Sequence, residues 1–254
     1  MPLTFPSHQA AVLPLKLRWP HRFDGVALYV GAAAPDLIYP FDGIPWTIRT
    51  HTVASLFWWS LPVTFVVAAL LRRAAPAVAA HLPISPDWAV IRHSGHPWWV
   101  TAYSAVLGAA THLFWDFLTH TDGWLNAILG FDWYERMPLA WYYVSDLPSS
   151  ALGGLAVVAG FVHIGRSRLL VRWHGEPPAL PPREPRRFWT AFAIVAVPVW
   201  IATPLLPHHN NYGALGTRII AAIVLGLTAG AVAVAVKQRQ YEDHGVSGRT
   251  RHHG

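Results

Sequence analysis

The sequence predicts an all-α, polytopic integral membrane protein, a bundle of about five or six transmembrane helices. Long apolar runs, a shortage of charge and a one-sided distribution of Lys and Arg predict it. Of 254 residues, 53% are hydrophobic and 13% charged, whereas a soluble domain carries about a quarter of its residues charged. No stretch outside the apolar runs is long enough to build a soluble core. Cysteine is absent, which excludes disulfides and thiolate metal sites. The start MPLTFPSHQAAVLPLKLRWPHR does not read as a signal peptide, because its basic residues follow the apolar stretch.

Crossing the hydrocarbon core takes about 20 apolar residues. Segments 53–71, 98–118, 188–207 and 214–236 meet this, 147–165 is a Gly-rich fifth, and Val26 to Ile38 is a short, marginal sixth. With six crossings, Lys16, Arg18, Arg22, Arg72, Arg73, Arg92, the cluster from Arg166 to Arg187, and Lys237 to Arg251 fall on one face. That face is cytoplasmic by the positive-inside rule, and the C-terminus with it. This distribution explains the net charge of +6 without nucleic acid as a partner. Asp36, Asp42, Asp122, Asp132, Glu135 and Asp146 gather at the opposite, outer face. The expected location is the cytoplasmic (inner) membrane of a bacterium, with membrane lipids as partners; the sequence does not set the oligomeric state.

Four regions follow. Residues 1–165 hold the motifs, and 166–187 form a basic, Pro-rich cytoplasmic loop expected to be extended. Residues 188–236 form a two-helix hairpin whose Gly226 and Gly230 mark a packing face. Residues 237–254 read as a basic disordered tail.

The strongest chemical signal is THLFWDFLTH, 111–120. His112, Asp116 and His120 recur every four residues and share one helix face, drifting by about 40° per step. Their span of roughly 12 Å is too long for one ion to take all three. Two of them can share an ion, or Asp116 can bridge two ions about 3.5–4 Å apart. The plainer alternative is a polar set that hydrogen-bonds neighbouring helices. A carboxylate within a membrane helix costs on the order of 2.5–3.5 kcal/mol on insertion scales, which favours a functional reading.

Ala34-Pro35-Asp36 and His51-Thr52 point to the same outer end, although each alone reads as a turn residue or an interfacial histidine. His8 reaches that end only if 8–18 turns at Trp19-Pro20 and pairs antiparallel with 24–36, as an N-terminal re-entrant hairpin. Asp146 could cap segment 147–165 and lies on the side of these motifs. His93, His96, His208 and His209 read as surface residues of loops and turns.

Pro6-Ser7-His8, Ala34-Pro35-Asp36, His51-Thr52 and Thr111-His112-x-x-Trp115-Asp116-x-x-Thr119-His120-x-Asp122-Gly123-Trp124 resemble the bacterial membrane family known as domain of unknown function 4184. The resemblance covers about 1–160. A more distant similarity is to predicted membrane-bound metal-dependent hydrolases, which share an early His, a Pro-Asp, a Thr-His and a His-x-x-x-Asp. The resemblance implies metal ligation at His8, Asp36, His51, His112 and Asp116, with His120 and Asp122 close by. His120 is thus both a candidate ligand and, with Asp122, a candidate catalytic base. Imidazole and carboxylate donors suit one or two divalent transition ions, Zn²⁺ foremost, with Mn²⁺ or Fe²⁺ as alternatives. The function expected is hydrolysis of a lipid or lipid-linked phosphate or ester at the outer interface. An ion or proton transporter and a non-catalytic, metal-stapled scaffold are the alternatives.

Overall fold

A computed structural model describes residues 7–41, 48–119, 144–145, 147–207 and 212–250, all helical or irregular, with no strand among them. A 3-10 turn, Ser7–Ala11, leads into α1 (Leu13–Arg18). Helix α2 (Gly25–Gly31) passes into a second 3-10 segment, Ala34–Phe41. A π-turn, Leu56–Ser60, opens α3 (Leu61–His81), and a third 3-10 segment, Pro86–His93, connects to α4 (Trp98–Thr119). Then come α5 (Leu147–Arg166), α6 (Leu169–His174), α7 (Pro185–Ala202) and α8 (Tyr212–Thr250). Helix α8 thus continues into the stretch expected to be a disordered tail, and α6 interrupts the basic loop.

Four described helices are long and apolar enough to cross a membrane: Leu56–His81, Leu147–Arg166, Pro185–Leu205 and Ala214–Lys237. Large apolar side chains stand exposed on each of them, among them Val66, Leu155, Ile194 and Leu225. The surface is compatible with an integral membrane protein. The other two expected crossings differ from the four. Helix α4 has the length, 22 residues, but Thr101, Ser104, Thr111, His112 and Asp116 dilute its apolar character. Helix α2 has only 7 residues, about 10 Å of rise, because Pro35 and Pro40 turn the chain into a 3-10 path.

Helix α3 runs ten residues beyond its expected end at 71. The reason is Arg72, which turns inward instead of marking a loop. Its guanidinium lies 2.5 Å and 2.6 Å from the two oxygens of Asp24, a fully buried carboxylate. Asp24 also caps α2, accepting from Ala27 N at 3.1 Å, and accepts from Thr101 Oγ1 at 2.7 Å. A buried charge persists only when paired and hydrogen-bonded in this way. One carboxylate therefore ties α2, α3 and α4 together. Close by, Lys16 Nζ donates to Pro20 O at 2.6 Å and Phe23 O at 2.9 Å, closing the turn between α1 and α2.

The other helices complete two poles. Helices α7 and α8 pack along their lengths, with Gly226 and Gly230 lying under the rings of Phe192 and Phe188. Lys237 pairs with Glu184 at 2.8 Å, and Arg183 Nε donates to Ala80 O at 2.7 Å. These contacts gather the end of α3, the start of α7 and the Lys237 turn of α8 at the basic pole. At the other pole, buried Arg218 of α8 donates to Pro40 O at 3.1 Å and Pro207 O at 2.8 Å.

Candidate metal centre

At the pole opposite the basic loops, four elements bring five of the candidate residues together. The 3-10 turn 7–11 carries His8, the segment after α2 carries Asp36, the chain entering α3 carries His51, and α4 carries His112 and Asp116.

Each is held for a local reason. His51 precedes a reciprocal cap in which Thr52 N donates to Ser55 Oγ (3.1 Å) and Ser55 N to Thr52 Oγ1 (3.2 Å). Such a cap satisfies amides that the first helical turn leaves open. Trp59 Nε1 donates to Ala34 O at 2.9 Å and so draws α3 to the Asp36 segment. His112 approaches α2 because Gly31 and Gly108 let the two backbones meet: a Cβ at 108 would lie 2.8 Å from Ala32 N. His8 enters because Gly153 of α5 leaves room for Ser7, whose backbone oxygen would stand 2.8 Å from a Cβ there.

Short distances converge on His112. Its Nε2 lies 3.3 Å from His51 Nε2, 3.4 Å from Asp36 Oδ1 and 3.2 Å from Asp116 Oδ2. His51 Nε2 is 3.1 Å from Asp36 Oδ1 and 3.5 Å from Asp116 Oδ2. The other Asp116 oxygen faces His8 Nε2 at 3.5 Å, and the His8 ring stacks on His112 with centroids 4.1 Å apart. His112 Nδ1 sits 2.7 Å from Ala32 O. A carbonyl only accepts, so this nitrogen carries a proton, and Nε2 is the atom that faces the cluster. Thr50 Oγ1, 3.1 Å from His51 Nδ1, steadies the second ring.

His8 and His112 are each 1% exposed and Asp36 is 5%, whereas the Asp116 side chain is 23% and that of His51 29% exposed. The cluster is therefore walled on the side of α2 and open along the His51–Asp116 edge.

The donor set fits a transition-metal ion. Zinc bonds of about 2.0–2.1 Å in a tetrahedral site put neighbouring donors roughly 3.3–3.4 Å apart. The triangle Asp36 Oδ1, His51 Nε2, His112 Nε2 has edges of 3.1, 3.3 and 3.4 Å. The triangle that substitutes Asp116 Oδ2 has edges of 3.2, 3.3 and 3.5 Å. A third group, His8, His112 and Asp116, has donors within 4.8 Å of one another.

His120, Asp122 and Asp146 lie outside the described residues, as do His208 and His209. Reading the sequence alone missed Thr50, although it stands directly before His51. It also missed Asp24 and Arg72. Asp24 sits where a cap is expected, just before an apolar helix, but Arg72 had been counted with the basic loops. The half of the bundle nearer the basic loops thus holds a buried ion pair, Asp24 with Arg72.

Residues 1–238 match the model of a family described as domain of unknown function (DUF4184). The match extends past the motif-bearing part and takes in α7 and the membrane-length part of α8. Neither a curated protein nor a solved structure matches the chain. The chain belongs to the DUF4184 family.

Proposed function

We propose that this DUF4184 protein is a membrane-embedded, metal-dependent hydrolase acting on a lipid or lipid-linked phosphate or ester. The observation that carries the reading is the packing of imidazole nitrogens and carboxylate oxygens at 3.1–3.5 Å around His112 Nε2. Carboxylates and histidines within a membrane are costly and mark ion, proton or substrate sites by default.

In this reading, Asp36, His51, His112 and Asp116 would hold a Zn²⁺, Mn²⁺ or Fe²⁺ ion. When bound, the ion supplies Lewis acidity, lowering the pKa of a water and polarising a phosphoryl or acyl oxygen. The residues do the rest. Ala32 O and Thr50 keep the two imidazoles turned toward the centre. Asp116 offers its second oxygen to His8, so this pair serves as a proton relay or as donors to a second ion. His120 and Asp122 follow Asp116 in sequence and remain the candidates for passing a proton to the departing alcohol oxygen. The exposed His51–Asp116 edge is the side from which a head group would approach.

The orientation follows from the same framework. Residues 7–18 and 25–41 form a re-entrant hairpin, with His8 and Asp36 at its outer end and Lys16 at the cytoplasmic turn. Five long helices, α3, α4, α5, α7 and α8, then cross, leaving the C-terminus cytoplasmic in a bacterial inner membrane. Transport is the weaker reading. A path from the cluster to Asp24 would have to pass Ala27, Leu28 and Val30 of α2, which are 0%, 1% and 4% exposed.

The test is metal content of the detergent-purified protein beside Asp116→Ala and His112→Ala, followed by phosphodiesterase, phosphatase and esterase assays on lipid substrates. One or two transition-metal ions, lost in both variants together with a hydrolytic activity, are expected. Stoichiometric metal retained in both variants would refute the site. Metal lost without any change in hydrolysis would refute the reaction and leave a metal-stapled scaffold.

A further inference from the structure

A second feature lies toward the basic pole, away from the His/Asp donors. A cavity of about 300 Å³ runs alongside α2, a volume at the lower end of ordinary ligand pockets. Its walls are apolar, with Tyr29, Ala75, Val78, Trp88, Phe161 and Leu227 among them. The rings of Tyr29 and Trp88 stand 5.3 Å and 5.5 Å from that of Phe161, forming an aromatic wall.

The packing of the helices explains why the space exists. Helix α5 packs on the 3-10 turn 7–11 and on α6, whereas α8 packs on α7, α3 and the Asp36 segment. Phe161 of α5 and Leu227 of α8 therefore line one cavity from two separate packing groups. Ile84 and Val224, at 40% and 37% exposure, mark its outward side.

The cavity has one polar end, where Lys16 and His174 line it. Lys16 Nζ lies 3.5 Å from His174 Nε2 and holds two backbone carbonyls. Asp24, the neighbouring acid, is taken up by Arg72. Two cations thus face one carboxylate, leaving this end with an excess positive charge. Burial, opposed by Asp24 and reinforced by Arg72, lowers the Lys16 amine to about 8, which leaves it charged at neutral pH.

We propose that this cavity binds one acyl chain of an anionic phospholipid, with the head group at the Lys16–His174 end. An apolar cavity excludes water and accepts apolar molecules, and in a bilayer the chains of lipids are the apolar molecules at hand. The unbalanced positive charge selects an anionic head group over a zwitterionic one. The proposal rests on membrane embedding but not on metal binding or hydrolysis.

The experiment is native mass spectrometry of the full chain in detergent, delipidated and then titrated with dioleoyl-phosphatidylglycerol or dioleoyl-phosphatidylcholine. One phosphatidylglycerol should bind about fivefold or more tightly than phosphatidylcholine, the advantage expected from one nearby lysine. Ala75→Phe, which fills the cavity, should weaken that binding by about tenfold, and Lys16→Gln should bring the two lipids close to parity. If Ala75→Phe does not fold by circular dichroism, Leu227→Trp fills the cavity from the opposite wall with the same expected loss. Equal affinity for the two lipids in the wild type would overturn the head-group assignment. Unchanged phosphatidylglycerol binding in a folded, cavity-filled variant would overturn the cavity assignment while leaving membrane embedding intact. Recovery of the protein in buffer without detergent would instead overturn the embedding itself.

Discussion

Replacing Gly108 with Ala places one methyl group where α2 and α4 touch, one helical turn from His112. Two effects oppose each other. Alanine is favoured over glycine within a helix by about 1 kcal/mol, while overpacking a tight contact costs roughly 1–3 kcal/mol. The second should win, because the added Cβ meets backbone: Ala32 N at 2.8 Å, with Leu28 O closer still. Backbone cannot swing aside as a side chain can. Restoring an ordinary contact of 3.4 Å or more forces the helices apart by at least about 0.6 Å in an interior that is already close-packed. That shift falls on the 2.7 Å contact between His112 Nδ1 and Ala32 O, stretching it toward the limit of a hydrogen bond. Losing a bond that orients a ligand histidine lowers metal affinity by about 10–100-fold. The assay is competition between detergent-purified protein and a calibrated zinc chelator. Gly154→Ala is the control, since a Cβ there meets nothing within 4 Å. Wild-type zinc affinity in Gly108→Ala, or an equal loss in Gly154→Ala, would refute the reasoning.

Asp24→Asn keeps the shape of the carboxylate but strands Arg72, so it should destabilise the protein by about 3–5 kcal/mol. In thermal unfolding, adding Arg72→Met to Asp24→Asn should recover part of that loss; strictly additive effects would count against the pairing. Thr50→Val removes the hydroxyl 3.1 Å from His51 Nδ1 and should weaken zinc binding by about tenfold with little change in unfolding temperature. His174 gives a pH signature: burial first, and then Lys16, lower its pKa from 6.5 to about 4. The unfolded chain therefore binds more protons between those values, and this contribution to stability falls as pH drops from about 6.5 toward 4. His174→Gln should flatten the unfolding temperature over that range relative to wild type. An unchanged slope would show that another group, such as His96, carries it.

The chemistry-bearing half of the fold was legible because few physical alternatives exist for it. A histidine and an aspartate four residues apart on an apolar helix must share a face, and the structure brings both to one cluster. His51 was legible through its place just before an apolar segment, and Asp36 through the Pro before it at the end of another. The long apolar segments were equally plain: the expected 53–71, 147–165, 188–207 and 214–236 overlap the observed Leu56–His81, Leu147–Arg166, Pro185–Leu205 and Ala214–Lys237. The short first helix was harder. Pro35 and Pro40 make its continuation a 3-10 path, and apolar length alone does not separate that from an α-helix. The extent of α3 was misread for a different reason: Arg72 resembles a loop cation until its partner, Asp24, 48 residues earlier in the chain, is placed beside it. Pairings across such separations carry no periodicity, so a linear reading has no means to find them.

His8 shows how much of the cluster depends on residues with no chemistry of their own. The N-terminal segment reaches the donors by lying along α5, where Gly153 faces Ser7 and Gly160 faces Leu13. These glycines are seven residues apart, two helical turns, and therefore lie on one face. A Cβ at 153 would fall 2.8 Å from Ser7 O, and one at 160 would fall 2.7 Å from Leu13 Cδ1. The first clash is with backbone one residue before His8, while the second is with the end of a side chain that can turn away. The sequence presents these positions only as weak points in an apolar helix, since glycine lowers helix propensity. Their spacing has a steric purpose: it makes a groove that seats the N-terminal segment and sets where His8 meets Asp116. Gly153 is thus tied more closely to the chemistry of the cluster than Gly160, although neither can donate an atom to it.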